Sequence, residues 1–177
     1  PVMNGRRYGN LDQSDAVQCL VAVYSPTDMY QLDLCDRTTA EEQAAATDGN
    51  TVRGDTGEKG MGKMHNQLMG VSCMDNPEIA ATASPIKFVN GNFPPAYFLQ
   101  GVQDRIIPYT QSVSMVRMVN EKCGEGHAEL KLFPNADHGA VEMKTDEEVN
   151  LILDFIDRHI WEGEHLRTPL PKEIALL

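Results

Sequence analysis

Two side chains suited to acid–base chemistry, Asp104 and His138, each lie in a loop just after a short apolar run. The first run spans residues 96–100, and the second spans residues 130–133 and ends at Pro134. A short apolar run closed by breakers is typical of a buried parallel strand. When a helix joins two such strands, the loops that follow them lie at the same edge of the sheet. The sequence therefore predicts that a carboxylate and an imidazole meet at that edge.

This pair has the chemistry of the acid and the base of a catalytic triad. His138 would take a proton from a hydroxyl nucleophile and return it to the leaving group. Asp104 would orient the ring and stabilise the imidazolium that forms. Asp137 is an alternative acid, but adjacent residues rarely orient one another's rings, so Asp104 is preferred. Gly139 would let the chain turn sharply behind the histidine.

The third member of a triad, the nucleophile, is not evident. A serine elbow of the form G-x-S-x-G on a strand-to-helix turn does not occur in the sequence. Ser72, within residues 70–74, lacks the second glycine and has no predicted strand before it. Ser25 does follow a predicted strand, but the adjacent Pro26 and the missing glycines argue against it. We therefore predict that this chain contains no nucleophile.

The elements that must position these side chains indicate an α/β fold with a parallel sheet. Residues 17–24 are nearly all apolar, as in an interior parallel strand with both faces covered. Helices are predicted after Asn76, over residues 110–122, and after Thr145, which forms a capping-box pattern with Glu148. The predicted core face is Val113, Val116, Val119 and Cys123 in the second of these helices, and Val149, Ile152, Leu153, Ile156 and Ile160 in the third.

The 177 residues predict one domain with two peripheral segments. Residues 29–70 are rich in acidic residues and turn signals, which indicates an insertion away from the sheet, of the lid or cap kind. Short helices are predicted within it at residues 43–46 and 60–68. Residues 161–177 are amphipathic and contain two prolines, so we expect a tail that packs loosely on another surface.

Composition argues against several functional classes. The formal net charge of −11 disfavours a nucleic-acid partner, which requires a basic face. No apolar run reaches the roughly eighteen residues of a membrane span, so no membrane partner is predicted. The cysteines lack C-x-x-C spacing, which argues against zinc and a redox dithiol, and neither a metal nor a cofactor is predicted. Spacing alone leaves open whether Cys35 and Cys73 form a disulfide.

Most of the chain resembles the C-terminal half of an α/β-hydrolase. The branch concerned is that of esterases and lipases related to feruloyl and acetyl-xylan esterases and to prolyl-oligopeptidase-type catalytic domains. The resemblance is carried by residues 9–12, 17–24, 26–28, 84–86, 94–101, 104–108, 111–112, 137–139 and 153–156. In that family the positions of Asp104 and His138 hold the triad acid and base. One departure is Gln100, which begins a Gln-Gly-Val where relatives often show His-Gly-Asp.

The resemblance implies a serine hydrolase of carboxylic esters. The family's nucleophile elbow and oxyanion loop precede all of these segments, so we expect this chain to be the C-terminal part of a longer enzyme and inactive alone. Small esters are the implied substrates, among them feruloyl and acetyl esters of plant polysaccharide. Two alternatives stay open: a catalytically incomplete α/β-hydrolase-like binding or regulatory module, and a prolyl-oligopeptidase-like peptidase.

The predicted strand at residues 17–24 also bears on partners. It is too apolar to serve as a solvated sheet edge, and an unpaired apolar edge recruits another strand. We therefore expect the chain to pair with the N-terminal half of the same enzyme or with a second copy of itself. The compartment stays open, cytoplasmic or secreted, because it depends on that N-terminal part.

Overall fold

The computed structural model describes residues 16–37 and 61–160, and within them the three predicted strands form one parallel sheet. The strands lie in the order β1 (Leu20–Val23), β2 (Ala96–Gly101) and β3 (Ala128–Phe133). Ala96 is opposite Leu20 on one side and Ala128 on the other. The prediction of a parallel α/β fold is therefore confirmed.

The strand β1 is shorter than the predicted 17–24, and the neighbouring strand explains where it begins. The Leu20 amide donates to the carbonyl of Pro95 at 2.9 Å, next to the first residue of β2. Residues before Leu20 have no strand to pair with, because the prolines at 94 and 95 end β2 on that side. Val17 is accordingly 60% exposed.

Five α-helices surround the sheet in the described residues. They are α1 (Met29–Arg37), α2 (Met61–Met69), α3 (Pro77–Thr82), α4 (Tyr109–Cys123) and α5 (Asp146–Ile160), with short 3₁₀ turns at Pro85–Phe88 and Val141–Lys144. The helix predicted at 60–68 is confirmed as α2. The helix α1 was not predicted from the sequence, although Asp28 marks its start by accepting a hydrogen bond from the Gln31 amide at 3.2 Å.

The core lies on both faces of the middle strand. Every residue of β2 is buried, and its side chains alternate between the two faces. Phe98 belongs to a cluster with Met115 and Val119 of α4. Leu99 belongs to a second cluster with Phe155 of α5. A helix therefore covers each face of the sheet, as predicted.

The predicted core face of α4 is correct except at Val113. That residue is 37% exposed, whereas Met115 and Val119 are almost completely buried. Ser112 is also fully buried. Positions 112, 115 and 119 share one side of an α-helix, and residue 113 lies one residue step, about 100°, away from 112. The pattern of apolar residues alone could not predict this face, because it includes the buried polar residue Ser112.

The predicted core face of α5 is correct only in part: Ile152 packs against the cluster of Tyr97, Leu99 and Phe155, as predicted. Val149, Leu153 and Ile160 were predicted as core, but they are 44%, 38% and 45% exposed. The buried side carries Phe155 at 1% exposure and Glu148 at 6%. A charged residue on the buried side is the feature that apolar periodicity could not predict.

Both predicted helix caps are only partly correct. Asn76 makes no side-chain hydrogen bond to α3 and instead donates to the carbonyl of Ser72 at 2.9 Å. Thr145 does cap α5, because its Oγ1 accepts from the Glu148 amide at 3.3 Å. The Glu148 carboxylate, which a capping box sends back to the cap residue, pairs with Lys131 of β3. That hydrogen bond raises the pKa of Lys131.

A buried carboxylate joins the described parts of the predicted insertion. Asp33 of α1 is 1% exposed and accepts hydrogen bonds from Asn66 Nδ2 at 2.8 Å and the Met74 amide at 2.7 Å. Several such donors offset the cost of burying a charge. The helix predicted at 43–46 and the tail at 161–177 lie outside the described residues.

Among the described side chains, Cys19, Cys73 and Cys123 are free thiols. Burial, with a smaller contribution from the charge of Asp33, raises the pKa of the Cys73 thiol. A thiol with a raised pKa is a poor nucleophile. Among the helices of residues 16–37 and 61–160, none is long and apolar enough to cross a membrane.

Candidate active site

Asp104 and His138 meet at the carboxyl ends of β2 and β3. Nδ1 of His138 lies 2.9 Å from Oδ2 of Asp104. The carboxylate is completely buried, whereas the imidazole keeps 25% of its side-chain exposure. The predicted contact between the two side chains is confirmed. Because the carboxylate engages Nδ1, the other ring nitrogen, Nε2, is the one left to face a reacting group.

The loop that carries His138 crosses the end of β2 at Gly101. A Cβ atom at residue 101 would lie 2.3 Å from the carbonyl oxygen of Ala136, closer than any side chain tolerates. The same carbonyl accepts a hydrogen bond from the Gln103 amide at 3.0 Å. Gly101 therefore allows the close backbone approach that brings the two loops together. Gly139 has a φ of +66°, which confirms the predicted sharp turn behind the histidine.

Four donors surround the Asp104 carboxylate. Oδ1 accepts from the backbone amides of Ile106 at 2.9 Å and Ile107 at 2.8 Å. Oδ2 accepts from Nε2 of Gln100 at 2.8 Å in addition to the contact with His138. Hydrogen bonds to a charged acceptor are strong enough to offset the cost of burying it. Asp104 is therefore held in one orientation by both the loop backbone and a buried side chain.

Asp137, the alternative acid, has a different partner. Its carboxylate accepts from the Arg105 backbone amide at 3.1 Å and from Nε of Arg105 at 2.7 Å, and it also accepts from the His138 backbone amide. Burial raises the pKa of Asp137, but the hydrogen bonds from Arg105 and from the backbone outweigh burial and hold it below its usual value. The same ion pair raises the pKa of Arg105. Asp137 thus joins the two loops and leaves the His138 ring to Asp104.

Tyr24, which the sequence analysis did not select, packs against the ring of His138. The two ring centroids are 4.4 Å apart, and the ring planes are inclined by 56°. Tyr24 has a φ of +43°, the only positive value at a non-glycine residue in the described chain. A bulky residue in this conformation is strained, and such strain often marks functional sites. Its place directly after β1, at the same sheet edge, was the signal that could have identified it.

The two serines weighed as nucleophiles, Ser72 and Ser25, bind other groups than His138. Ser72 follows α2 rather than a strand, and its hydroxyl binds Asp33 at 3.2 Å. The Ser25 hydroxyl donates to the carbonyl of Val23. Within residues 16–37 and 61–160, moreover, no group of three or more His, Cys, Asp or Glu is arranged to hold a metal ion.

Residues 3–119 match the BD-FAE family. No curated protein sequence matches the chain. The arrangement of β2, β3 and their loops is therefore best compared with solved structures.

Several solved structures share the fold at low sequence identity. A bifunctional GH43-CE protein of Bacteroides eggerthii aligns with a TM-score of 0.63 and 22% identity over 85% of this chain and 18% of its own. A truncated carbohydrate esterase from gut microbiota aligns with a TM-score of 0.62 and 18% identity over 85% of this chain and 45% of its own. The acylaminoacyl peptidase of Pyrococcus horikoshii aligns with a TM-score of 0.54 and 15% identity over 88% of this chain and 23% of its own.

These likenesses show an α/β-hydrolase fold. They also show that the chain spans less than half the length of each of these three solved structures.

Proposed function

The chain belongs to the BD-FAE family, and we propose that it is part of a carboxylic ester hydrolase in which Asp104 is the acid and His138 the base. The hydrogen bond between Asp104 Oδ2 and His138 Nδ1 at the carboxyl edge of the sheet is the observation that carries this proposal. In open α/β sheets, ligand-binding and catalytic residues lie at the carboxyl ends of the strands.

The proposed roles follow from the two ring nitrogens. Asp104 accepts the Nδ1–H hydrogen bond, so the unprotonated Nε2 takes the proton from a serine hydroxyl as that hydroxyl attacks the ester carbonyl. The ring then returns this proton to the departing alcohol. The buried Asp104 stabilises the imidazolium in between, and the Tyr24 ring packs against the imidazole.

The nucleophile and the oxyanion donors are proposed to lie in a preceding part of a longer protein. Two observations support this arrangement. The hydroxyls of Ser72 and Ser25 bind Asp33 and the Val23 carbonyl, and the chain spans at most 45% of the three solved structures compared with it. Without a hydroxyl to activate, an acid–base pair forms no acyl-enzyme.

The same preceding part is proposed as the partner of the sheet. Within the described residues β1 pairs with β2 alone, so its other edge is open to a further strand. The exposed apolar residues Val149, Leu153 and Ile160 of α5 offer an additional surface for it. A second copy of this chain could occupy the same edge and is the alternative partner.

Feruloyl or acetyl esters of plant polysaccharide are the proposed substrates. The names of two structural relatives support this choice: one is a carbohydrate esterase from gut microbiota, and the other is a bifunctional GH43-CE protein. The likeness to an acylaminoacyl peptidase keeps a peptidase as a second candidate, which a peptide substrate would test directly. A catalytically incomplete binding or regulatory module is the third candidate, and it predicts no turnover under any condition.

The test is the substitution His138→Ala in the longer protein that contains this chain. Ester turnover should fall by at least about 10³-fold, because the base that activates the nucleophile is lost. His127→Ala is the matched control, because His127 lies just before β3, at the opposite end of the sheet from His138, and its ring contacts the carbonyl of Phe93. Unchanged turnover of an activated ester in folded His138→Ala protein would contradict the proposed role.

A further inference from the structure

Gln100, the residue where the chain departs from its family's pattern, is buried beside the acid. It is 0% exposed and lies on β2, one residue before Gly101. Its Nε2 donates to Asp104 Oδ2 at 2.8 Å and to the Ile107 carbonyl at 3.0 Å. Its Oε1 accepts from the Ser112 hydroxyl at 3.0 Å. Each polar atom of this buried amide therefore has a partner.

These partners permit only one orientation of the amide. The Asp104 carboxylate and the Ile107 carbonyl are both acceptors, so the amide nitrogen must face them. A reversed amide would point its oxygen at a carboxylate and a carbonyl, neither of which can donate, and the Ser112 hydroxyl would have to accept instead of donate. Ser112, in the first turn of α4, thus holds Gln100, and Gln100 holds Asp104.

The hydrogen bonds divide the four donors evenly between the carboxylate oxygens of Asp104. The amides of Ile106 and Ile107 occupy Oδ1, whereas Gln100 and His138 share Oδ2. Rotation of the carboxylate would break contacts on both sides. The side-chain amide also keeps its two hydrogens at every pH, unlike an imidazole in the same place.

We propose that Gln100 is a positioning residue, which with Ser112 fixes the Asp104 carboxylate so that Oδ2 meets Nδ1 of His138. The proposal rests on the proposed function, because it assumes that Asp104 and His138 act as acid and base. It assigns to Gln100 no contact with substrate. The residue acts through Asp104 on the direction and tautomer of the histidine ring.

The experiment measures the exchange of the His138 Nδ1 proton with water, by NMR of the 177-residue chain with ¹⁵N-labelled histidine. Gln100→Leu removes the donor to Oδ2 and frees the carboxylate to rotate. Exchange should become faster by about tenfold, the change that corresponds to losing one hydrogen bond to a charged group, about 1.4 kcal/mol. Ser112→Ala removes only the anchor of the amide and should give a smaller acceleration in the same direction.

Gln111→Leu is the matched control. Gln111 is also buried, at 4% exposure, but its Oε1 accepts from the amides of Thr27 and Asp28, away from Asp104. This substitution removes a buried amide of the same size without touching the acid. Exchange at His138 should therefore stay at the wild-type rate, even if the melting temperature falls.

Three outcomes overturn the proposal. The first is a wild-type exchange rate in folded Gln100→Leu protein, and the second is an equal acceleration in Gln111→Leu. The third applies if Gln100→Leu does not fold, and it is an unchanged exchange rate in Ser112→Ala. The readout needs no nucleophile and no ester. Accelerated exchange combined with an inactive longer protein would therefore support the positioning role of Gln100 while contradicting the proposed hydrolase.

Discussion

At the scale of single residues, His138 is restrained from several directions. Asp104 holds Nδ1, the Tyr24 ring lies against the imidazole, and the Asp137 carboxylate accepts from the His138 backbone amide at 2.8 Å. Restraints of this kind reduce the entropy lost when a reacting group must be aligned. The histidine is therefore preorganised before any substrate arrives.

The ion pair between Arg105 and Asp137 predicts a pH-dependent contribution to stability. Because the pKa of Asp137 is lowered in the folded state, the folded protein binds the proton less tightly than the unfolded chain does. The contribution is therefore fully present above the ordinary carboxyl value of 3.8 and is lost as the pH falls through the lowered value.

The measurement is the melting temperature of wild-type and Asp137→Asn protein from neutral pH downwards. Wild type should melt higher at neutral pH, and the difference should persist to about pH 4 and then shrink. Arg105→Gln should show the same dependence, because it removes the other partner of the pair. A difference already lost near about pH 6, well above carboxyl pKa values, would contradict this assignment.

At the scale of elements, the site depends on the docking of β2 between two helices. The strand ends in Gln100, which donates a hydrogen bond to Asp104, and Gly101, which leaves room for the loop that carries His138. Phe155 of α5 packs against Tyr97 of β2, and their ring centroids are 5.5 Å apart. Sheet, loops and α5 therefore form one packed unit.

Two substitutions on α5 test which side of the helix is buried. Phe155→Ala should lower the free energy of unfolding by about 3–5 kcal/mol, because it leaves a cavity in the core. Leu153→Ala should cost less than about 1 kcal/mol, since the side chain is 38% exposed. Urea unfolding of the isolated chain measures both values. Equal losses would mean that the apolar stripe predicted from the sequence is the buried side after all.

At the scale of the whole molecule, the described chain carries the hydrogen-bonded pair of Asp104 and His138 on a three-stranded sheet. The pair lies at the ends of β2 and β3, whereas β1, on the other side of β2, forms one of the two sheet edges within the described residues. The three solved relatives are each more than twice as long as the part of them that aligns with this chain. The proposed preceding segment would complete both the sheet and the catalytic group.

An activated-ester assay on the purified 177-residue chain, with its intact mass verified, tests this proposal. We expect no hydrolysis above background, because the nucleophile and the oxyanion donors are proposed to lie in the preceding part of the longer protein. Addition of the preceding part of the longer protein should restore turnover if the two parts re-associate. Robust hydrolysis by the chain alone that Ser72→Ala abolishes would show that the nucleophile was misassigned.

The sequence by itself was sufficient for the three strands, their parallel order and the pairing of Asp104 with His138. Apolar runs of the right length, separated by breakers, specify buried strands, and the right-handed crossover between them leaves little choice of edge. The start of β1 and the buried sides of α4 and α5 were less predictable. The extent of β1 depends on where the neighbouring strand begins, and the buried side of each helix depends on which polar residues find hydrogen-bond partners. Neither can be determined from the local sequence.

Only the tertiary structure decided how the site is supported. Tyr24, Gln100 and Ser112 are separated by up to 88 residues, yet they converge on Asp104 and His138. A polar residue in an apolar strand is indistinguishable in sequence from an ordinary buried side chain. Its role emerges when packing brings donors and acceptors within about 3 Å and excludes water, because a buried polar group must then bond to whatever the fold places beside it.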